Sequence, residues 1–271
     1  MSLRHILGVV LRQIYLLRYS PARILPVIVW VGIDIVLWGF ITKYLNSVNG
    51  TGVNFVSLLL GAVLFWDFSA RVMHGVTTPF LEDVWSRNFL NFFASPLTIA
   101  EYLTGLITTS IVTSLIGLLF MLLLSNLAFG LSFFTYGPVL IPFLLILFLF
   151  GIAVGIVGSA IVLRFGPASE WLVWPIPAIL SPFVGVFYPI STLPHWMHPL
   201  SRLLPPSYVF EAMRGALNLP AGSVSISFGP LLIGSGLAAI YILIACWIFV
   251  RVYRLTVRTG LLARYSAESV G

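Results

Sequence analysis

Six stretches of this chain are apolar over lengths close to that of a membrane-crossing helix, and this feature constrains the fold more than any other. A bilayer core requires about 20 consecutive, mostly apolar residues in a helix. The six stretches are 24–42, 53–73, 103–127, 139–163, 171–188 and 229–251. The sequence therefore predicts an all-α polytopic membrane protein, with six transmembrane helices in a single transmembrane domain over residues 1–271.

The scarcity of charged residues supports this class. Hydrophobic residues make up 59% of the chain and charged residues only 8%, whereas an ordinary soluble domain carries about 25% charged residues. The net charge of +6 would point to nucleic acid in a soluble protein. In membrane proteins, however, basic residues collect on the cytoplasmic side, so we expect membrane lipid and no nucleic acid as a partner.

The 14 lysine and arginine residues are divided unequally between the two sides that six spans create. If the N-terminus is inside, only Lys43, Arg202 and Arg214 fall outside, and eleven fall inside. Arg71 is counted among the eleven, near the predicted inner end of the second span. The positive-inside rule therefore predicts that both termini are cytoplasmic.

Residues 1–20 are predicted to form an interfacial helix that lies on the membrane surface. Apolar residues recur there every three or four positions, which places them on one helix face; they are Leu3, Ile6, Leu7, Val10, Leu11, Ile14 and Leu17. Arg4, His5 and Arg12 lie on the other side. We therefore expect this helix to float in the headgroup layer.

The 77–98 segment joins the second and third spans on the cytoplasmic side and predicts a short amphipathic helix. Pro79 would open this helix, and Pro96 would end it. Glu82 and Asp83 would occupy the first turn, where the helix dipole favours acidic side chains. Such a helix would either dock into a cytoplasmic partner or rest on lipid, and the residues alone leave both open.

The 189–214 segment joins the fifth and sixth spans on the external side. It is rich in prolines and amphipathic aromatic residues, and the i,i+3 spacing of Glu211 and Arg214 allows them to pair on one helix face. The fifth span before it is interrupted by Pro175, Pro177 and Pro182. These features predict a kinked or re-entrant region that either lines an exit or caps the helices.

Three ionisable residues fall inside the first two predicted spans. Asp34 is near the middle of the first span, where a carboxylate is costly and is by default a functional candidate. It would either face a transport path or make a structural hydrogen bond. Asp67 and Arg71 are four residues apart and predict a structural ion pair at the inner interface.

The fourth span carries Gly151, Gly155 and Gly158, a small-residue face that allows helices to approach closely. We expect this face to pack within the chain rather than in a dimer contact.

Signatures of enzymes are missing from the sequence. Lys43, the only lysine, follows Thr42 rather than a glycine, so the chain has no Walker A phosphate-binding loop. His195 and His198 have no third potential ligand nearby. We therefore expect no catalytic residue and no metal, and the chain is not predicted to be an enzyme.

Two motifs resemble those of the ABC-2 type permeases, the membrane subunits of bacterial ATP-binding-cassette exporters. The first motif is ASPL at 94–97 followed by EYL at 101–103. The second combines FYP at 187–189, LP at 193–194 and PSYVFEAMR at 206–214. The resemblance extends over nearly the whole chain, including the N-terminal helix, the six spans and both polar segments.

The resemblance implies a type V exporter fold in the bacterial inner membrane. The 77–98 segment would couple to the ATPase through Glu82, Asp83, Trp85, Arg87, Asn88 and Pro96. The 189–214 segment would form re-entrant helices near an external gate with Tyr188, Pro189, Pro194, Glu211 and Arg214. Candidate residues for the translocation path are Trp30, Asp34 and Trp38.

The same resemblance implies the partners and the energy source. The permease would be a homodimer that binds two copies of a separate ATPase, and that ATPase, not this chain, would bind ATP and magnesium. The substrate would be an amphipathic, lipid-linked or glycan-type molecule, or a drug, moved outward. An ion-coupled secondary transporter using Asp34 and Asp67, and a non-transporting membrane scaffold, remain alternatives.

Overall fold

A computed structural model describes residues 2–48, 56–86, 88, 95–131, 140–217 and 228–260, and every regular element in these ranges is a helix. In chain order they are α1 (Leu3–Tyr19), α2 (Pro21–Val48), a π-helical turn (Val56–Leu60), α3 (Gly61–Trp85), α4 (Ile99–Phe129) and α5 (Leu140–Phe165). Four shorter helices follow: α6 (Glu170–Val173), α7 (Ile176–Val184), α8 (His198–Leu203) and α9 (Pro205–Leu217). Short 3-10 turns accompany them at Pro167–Ser169, Ile190–Thr192 and His195–Met197, and α10 (Phe228–Thr259) comes last.

Helices α3 and α5 form the centre of the bundle. A side-chain carbon added at Gly151 of α5 would lie 2.6 Å from the Ser69 carbonyl of α3, and one added at Gly155 would lie 2.9 Å from the Met73 carbonyl. Only glycine permits backbones to approach this closely. The small-residue face of the fourth predicted span therefore packs within the chain, as expected.

Hydroxyl groups join the central helices where the backbones are close. Ser69 Oγ donates to the Leu147 carbonyl over 3.0 Å, and Thr77 Oγ1 donates to the Gly155 carbonyl over 3.1 Å. On the other side of α3, Ser110 Oγ of α4 lies 2.9 Å from the carbonyl oxygen of Val72 and donates to it. Such bonds satisfy polar side chains where no water is available. Helix α10 packs along α5, and its Phe249 also contacts Phe80 of α3.

Three of the described helices are long and apolar enough to cross a membrane: Ile99–Phe129, Leu140–Phe165 and Gly229–Thr259. They correspond to the third, fourth and sixth predicted spans. The first predicted span lies within α2, which has 28 residues. The fifth predicted span is divided into α6 and α7, of 4 and 9 residues. The break before Pro175 agrees with the kink that the prolines predicted.

The boundary predicted at Pro79 is wrong. Helix α3 does not end near residue 73, and no new helix opens at Pro79, because α3 continues through this proline to Trp85. An internal proline costs a helix about 3 kcal/mol. The cost is offset because Val76 and Phe80, on either side of the proline, are completely buried. The second predicted span and the first part of the 77–98 segment are therefore one helix.

Candidate functional site

The buried carboxylate of Asp83 lies at the end of α3 and is bound by two other helices. Arg12 of α1 donates to both Asp83 oxygens, with Nη1 2.8 Å from Oδ2 and Nη2 in direct contact with Oδ1. Tyr102 of α4 donates its hydroxyl to Asp83 Oδ2 over 2.6 Å. Asp83 is only 2% exposed. Its charge is compensated by a forked guanidinium contact, the strongest type of ionic hydrogen bond in proteins.

A second carboxylate, Glu101, binds the start of α1. Glu101 accepts hydrogen bonds from the backbone nitrogens of Ser2 and Thr98 and lies 3.0 Å from His5 Nδ1. Thr98 Oγ1 in turn accepts from the Glu101 nitrogen, which completes a capping box at the start of α4. We call Asp83, Thr98, Glu101 and Tyr102 the α3–α4 base.

The inward orientation of the basic residues of α1 differs from the prediction. His5 and Arg12 do not face the headgroup layer but contact the α3–α4 base. Because Asp83 accepts its hydrogen bonds, the pKa of the Arg12 guanidinium is raised above its ordinary value. Arg4 alone of the three predicted residues is exposed. The apolar side of α1 is exposed as predicted, through Leu3, Leu7, Leu11 and Ile14.

The predicted coupling residues of the 77–98 segment separate into buried and accessible ones. Asp83 is buried, so any part it has in coupling would be indirect, through the helices that bind it. Trp85, by contrast, is 57% exposed at the end of α3, and Pro96 is exposed just before α4. Glu82 is half-buried, as is Asn88, whose Nδ2 donates to Ser86 Oγ over 3.1 Å. Arg87 lies outside the described residues.

Asp67 and Arg71 form an ion pair, with Arg71 Nη2 3.4 Å from Asp67 Oδ2. The pair lies in the interior of α3, which continues beyond it to Trp85. Gly117 of α4 makes room for Arg71, since an added carbon there would lie 3.0 Å from Arg71 Cδ. Asp34 of α2 is close enough to interact electrostatically with both members of the pair.

The two tryptophans that flank Asp34 have different surroundings. Trp30 is largely exposed. Trp38 stacks on Phe187, with ring centroids 5.0 Å apart and the planes inclined by 16°. The Trp38 ring therefore packs against the short-helix region that precedes α9. His74, one turn beyond Arg71, stacks on Trp174 at 4.7 Å and was not singled out from the sequence.

The 189–214 segment is held together by Arg214, which is 9% exposed. Arg214 Nη2 donates to the Gly185 carbonyl over 2.7 Å and to Glu211 Oε1 over 3.0 Å. The same Glu211 oxygen accepts from the Ile190 nitrogen at 2.9 Å. Gly185 has a φ of +74°, a left-handed conformation that favours glycine. The pair predicted by spacing thus also fixes the turn after α7.

The remaining residues of the predicted external gate lie on the surface of this region. Tyr188 donates its hydroxyl to the Pro182 carbonyl over 3.0 Å, while Pro189 and Pro194 are exposed. His198 Nε2 lies 2.9 Å from the Leu193 carbonyl. Among the described residues, no group of three or more histidine, cysteine or acidic side chains is arranged to hold a metal ion.

Neither a protein-family model nor a curated protein sequence matches this chain. The resemblance to the ABC-2 permeases therefore depends on the motifs themselves.

Proposed function

We propose that this chain is the permease subunit of an ATP-driven exporter of the ABC-2 type. In the proposed assembly, two copies cross the bacterial inner membrane with six spans each and with both termini in the cytoplasm. Two copies of a separate ATPase bind ATP and magnesium. The transported substrate is an amphipathic, lipid-linked or glycan-type molecule, or a drug.

The observation that carries this proposal is that the end of α3 and the start of α4, which flank the connection within the 77–98 segment, are both attached to α1. Asp83 precedes the exposed Trp85, and Glu101 follows the exposed Pro96; both carboxylates are bound by α1. A docking element that transmits force needs exposed contact residues on a rigid support. Trp85 and Pro96 are each exposed beside a helix end that α1 holds, which supports a protein partner over simple contact with lipid.

The proposed external gate has a similar construction. Arg214 joins α9 to the turn after α7, so a displacement of α9 also displaces this turn. The stacking of Trp38 on Phe187 links α2 to the same region. These contacts would allow movements of the membrane helices to reach the 189–214 segment.

Co-purification from the native host in mild detergent tests the proposal. We expect an ATPase with a Walker A motif to accompany the chain in stoichiometric amount and to hydrolyse ATP. Trp85→Ala is expected to lower its yield several-fold. Trp247→Ala is a matched control, since Trp247 of α10 is 58% exposed and Trp85 is 57% exposed. Purification of the intact chain without any nucleotide-binding partner would exclude the ATP-driven function.

The cluster of Asp34, Asp67 and Arg71 favours one alternative, an ion-coupled secondary transporter. Ionisable side chains in the interior of membrane helices often mark ion pathways. This alternative predicts substrate transport by the chain alone in vesicles with an imposed ion gradient and no ATP, with loss of transport in Asp34→Asn. Transport that requires ATP and the ATPase would rule it out.

A further inference from the structure

We propose that the last turns of α10 form a binding site for an anionic phospholipid. Arg251, Arg254 and Arg258 hold the phosphate of the lipid headgroup, and Trp247 forms the apolar border of the site. We call the three arginines the arginine row. The site requires only that α10 crosses a membrane, so it is independent of ATPase binding and of export.

The arginine row and Trp247 lie on one face of α10. At 3.6 residues per turn, these four side chains fall within an arc of about 60°. The buried residues of the second half of α10 lie in a narrower arc on the opposite side; they are Ala245, Phe249 and Thr256. The three arginines are all exposed. The arginine row therefore points directly away from the helices on which α10 packs.

Aromatic contacts on the buried side fix the rotation of α10. The Phe249 ring meets the Phe80 ring of α3 edge-on, with centroids 5.9 Å apart. Tyr241 packs on Phe150 of α5, with centroids 5.6 Å apart. A rotation that turned the arginines inward would separate these rings and bury charges without partners, which is costly. The arginine row is therefore a fixed feature of the surface of the bundle.

The arginine row begins where the apolar face of α10 ends. Leu243 and Trp247 are 69% and 58% exposed on that face. The Arg251 guanidinium carbon lies 4.7 Å from the centre of the Trp247 ring, so this side chain extends back towards the apolar part of the helix. The Cα–Cβ bonds of Arg254 and Arg258 are tilted in the same direction, as in any α-helix. The row is about 10 Å long and matches a headgroup layer about 5–8 Å thick.

Charge and position favour a lipid as the occupant. Helix α10 contains no acidic residue, and no described ion pair includes these arginines. A second copy related by two-fold symmetry would set the row against itself, and like charges repel. A protein in the aqueous phase could reach Arg258 but not the apolar Leu243 and Trp247 on the same face. An anionic phospholipid fits the whole face, since its acyl chains cover the apolar residues and its phosphate accepts hydrogen bonds from guanidinium groups.

The lipid preference is measured on the chain alone in nanodiscs. Cys246, the only cysteine, is exposed and lies beside Trp247, so a fluorophore is attached to it before reconstitution. Nitroxide-labelled phosphatidylglycerol and nitroxide-labelled phosphatidylcholine are compared as quenchers. We expect phosphatidylglycerol to quench at a several-fold lower fraction in the bilayer, because its phosphate charge is not cancelled within the headgroup.

Arg254→Gln with Arg258→Gln tests the arginine row. An arginine near an anionic surface contributes a preference of about five-fold, so this double variant should lose most of the native preference. Lysine at both positions retains the charges and should retain most of the preference. Arg4→Gln with Arg18→Gln is the matched control, because it removes two exposed arginines from α1 and should leave the preference unchanged.

Three results would overturn the lipid site. Equal quenching by the two lipids in the native chain would show that no site exists. Equal loss of preference in both glutamine variants would show only a general effect of surface charge. If the native chain has no lipid preference and the α10 variant loses a co-purified protein, the row contacts a protein instead. Failure of an ATPase to co-purify would exclude the proposed function but leave these measurements unaffected.

Discussion

Replacement of Arg12 by methionine is expected to release α1 from the bundle. Methionine retains the apolar length of the side chain but leaves the Asp83 carboxylate, 2% exposed, with the Tyr102 hydroxyl as its partner. Removal of one partner from a buried ion pair costs about 3–5 kcal/mol. The Arg12 side chain is 30% exposed, so the lower limit of about 3 kcal/mol applies.

Hydrogen exchange of α1 amides in nanodiscs measures this release. Because exchange follows local opening and 1.36 kcal/mol corresponds to a factor of ten, we expect α1 to exchange about two orders of magnitude faster. Arg4→Met, at an exposed position of the same helix, is the control and should leave exchange nearly unchanged. The double variant Arg12→Met with Asp83→Asn should recover most of the protection, since it removes the uncompensated charge. Equal exchange in the two single variants would refute the reasoning.

Two further substitutions test other contacts of the fold. Gly105→Leu would place a side chain in the space held by Val9, so hydrogen exchange of α1 should accelerate at least as much as in Arg12→Met. Gly8→Leu is the control, because Gly8 has open space around it, and it should not accelerate the exchange. Similar exchange in both leucine variants would contradict the packing of Val9 on Gly105. Arg214→Met removes the hydrogen bond to the turn after α7, so limited proteolysis should cleave that turn several-fold faster. Arg202→Met, at an exposed position, should leave the cleavage rate unchanged. Equal cleavage rates in the two variants would show that Arg214 does not stabilise the turn.

Much of the helix pattern was predictable from the sequence because it depends on local periodicity. The apolar repeat predicted a helix within residues 1–20, and the structure has one at Leu3–Tyr19. The long apolar stretches predicted α4, α5 and α10, which the structure confirms as long apolar helices. The Glu211–Arg214 pair also followed from spacing alone, because i,i+3 neighbours share a helix face.

The errors arose where distant residues decide the structure. A helical wheel places His5 and Arg12 on the polar side of α1, but it cannot show that Glu101 and Asp83 lie opposite them. Those partners are 96 and 71 residues away in the chain. The α3–α4 base was therefore missed, although the Thr98–Glu101 capping box was readable as a T-x-x-E pattern.

The error at Pro79 arose in the same way, because tertiary packing overrides the local preference of the sequence. Local preference places a proline at a helix start, but burial of the residues around it keeps α3 continuous to Trp85. Asp67 and Arg71 pair within this continuous helix, as their spacing predicted. The packing of α4 against the pair, where Gly117 accommodates Arg71, was not readable from the sequence.

The proposed docking of a separate ATPase at the exposed end of α3 is tested most directly by site-specific photo-crosslinking. A photoreactive phenylalanine replaces Trp85 in living cells, and a second strain carries it at Trp247 of α10, which has nearly the same exposure. We predict that position 85 captures a protein whose sequence contains a Walker A motif and that position 247 does not. Adducts at position 85 only with lipid, or only with proteins lacking that motif, would contradict the claim.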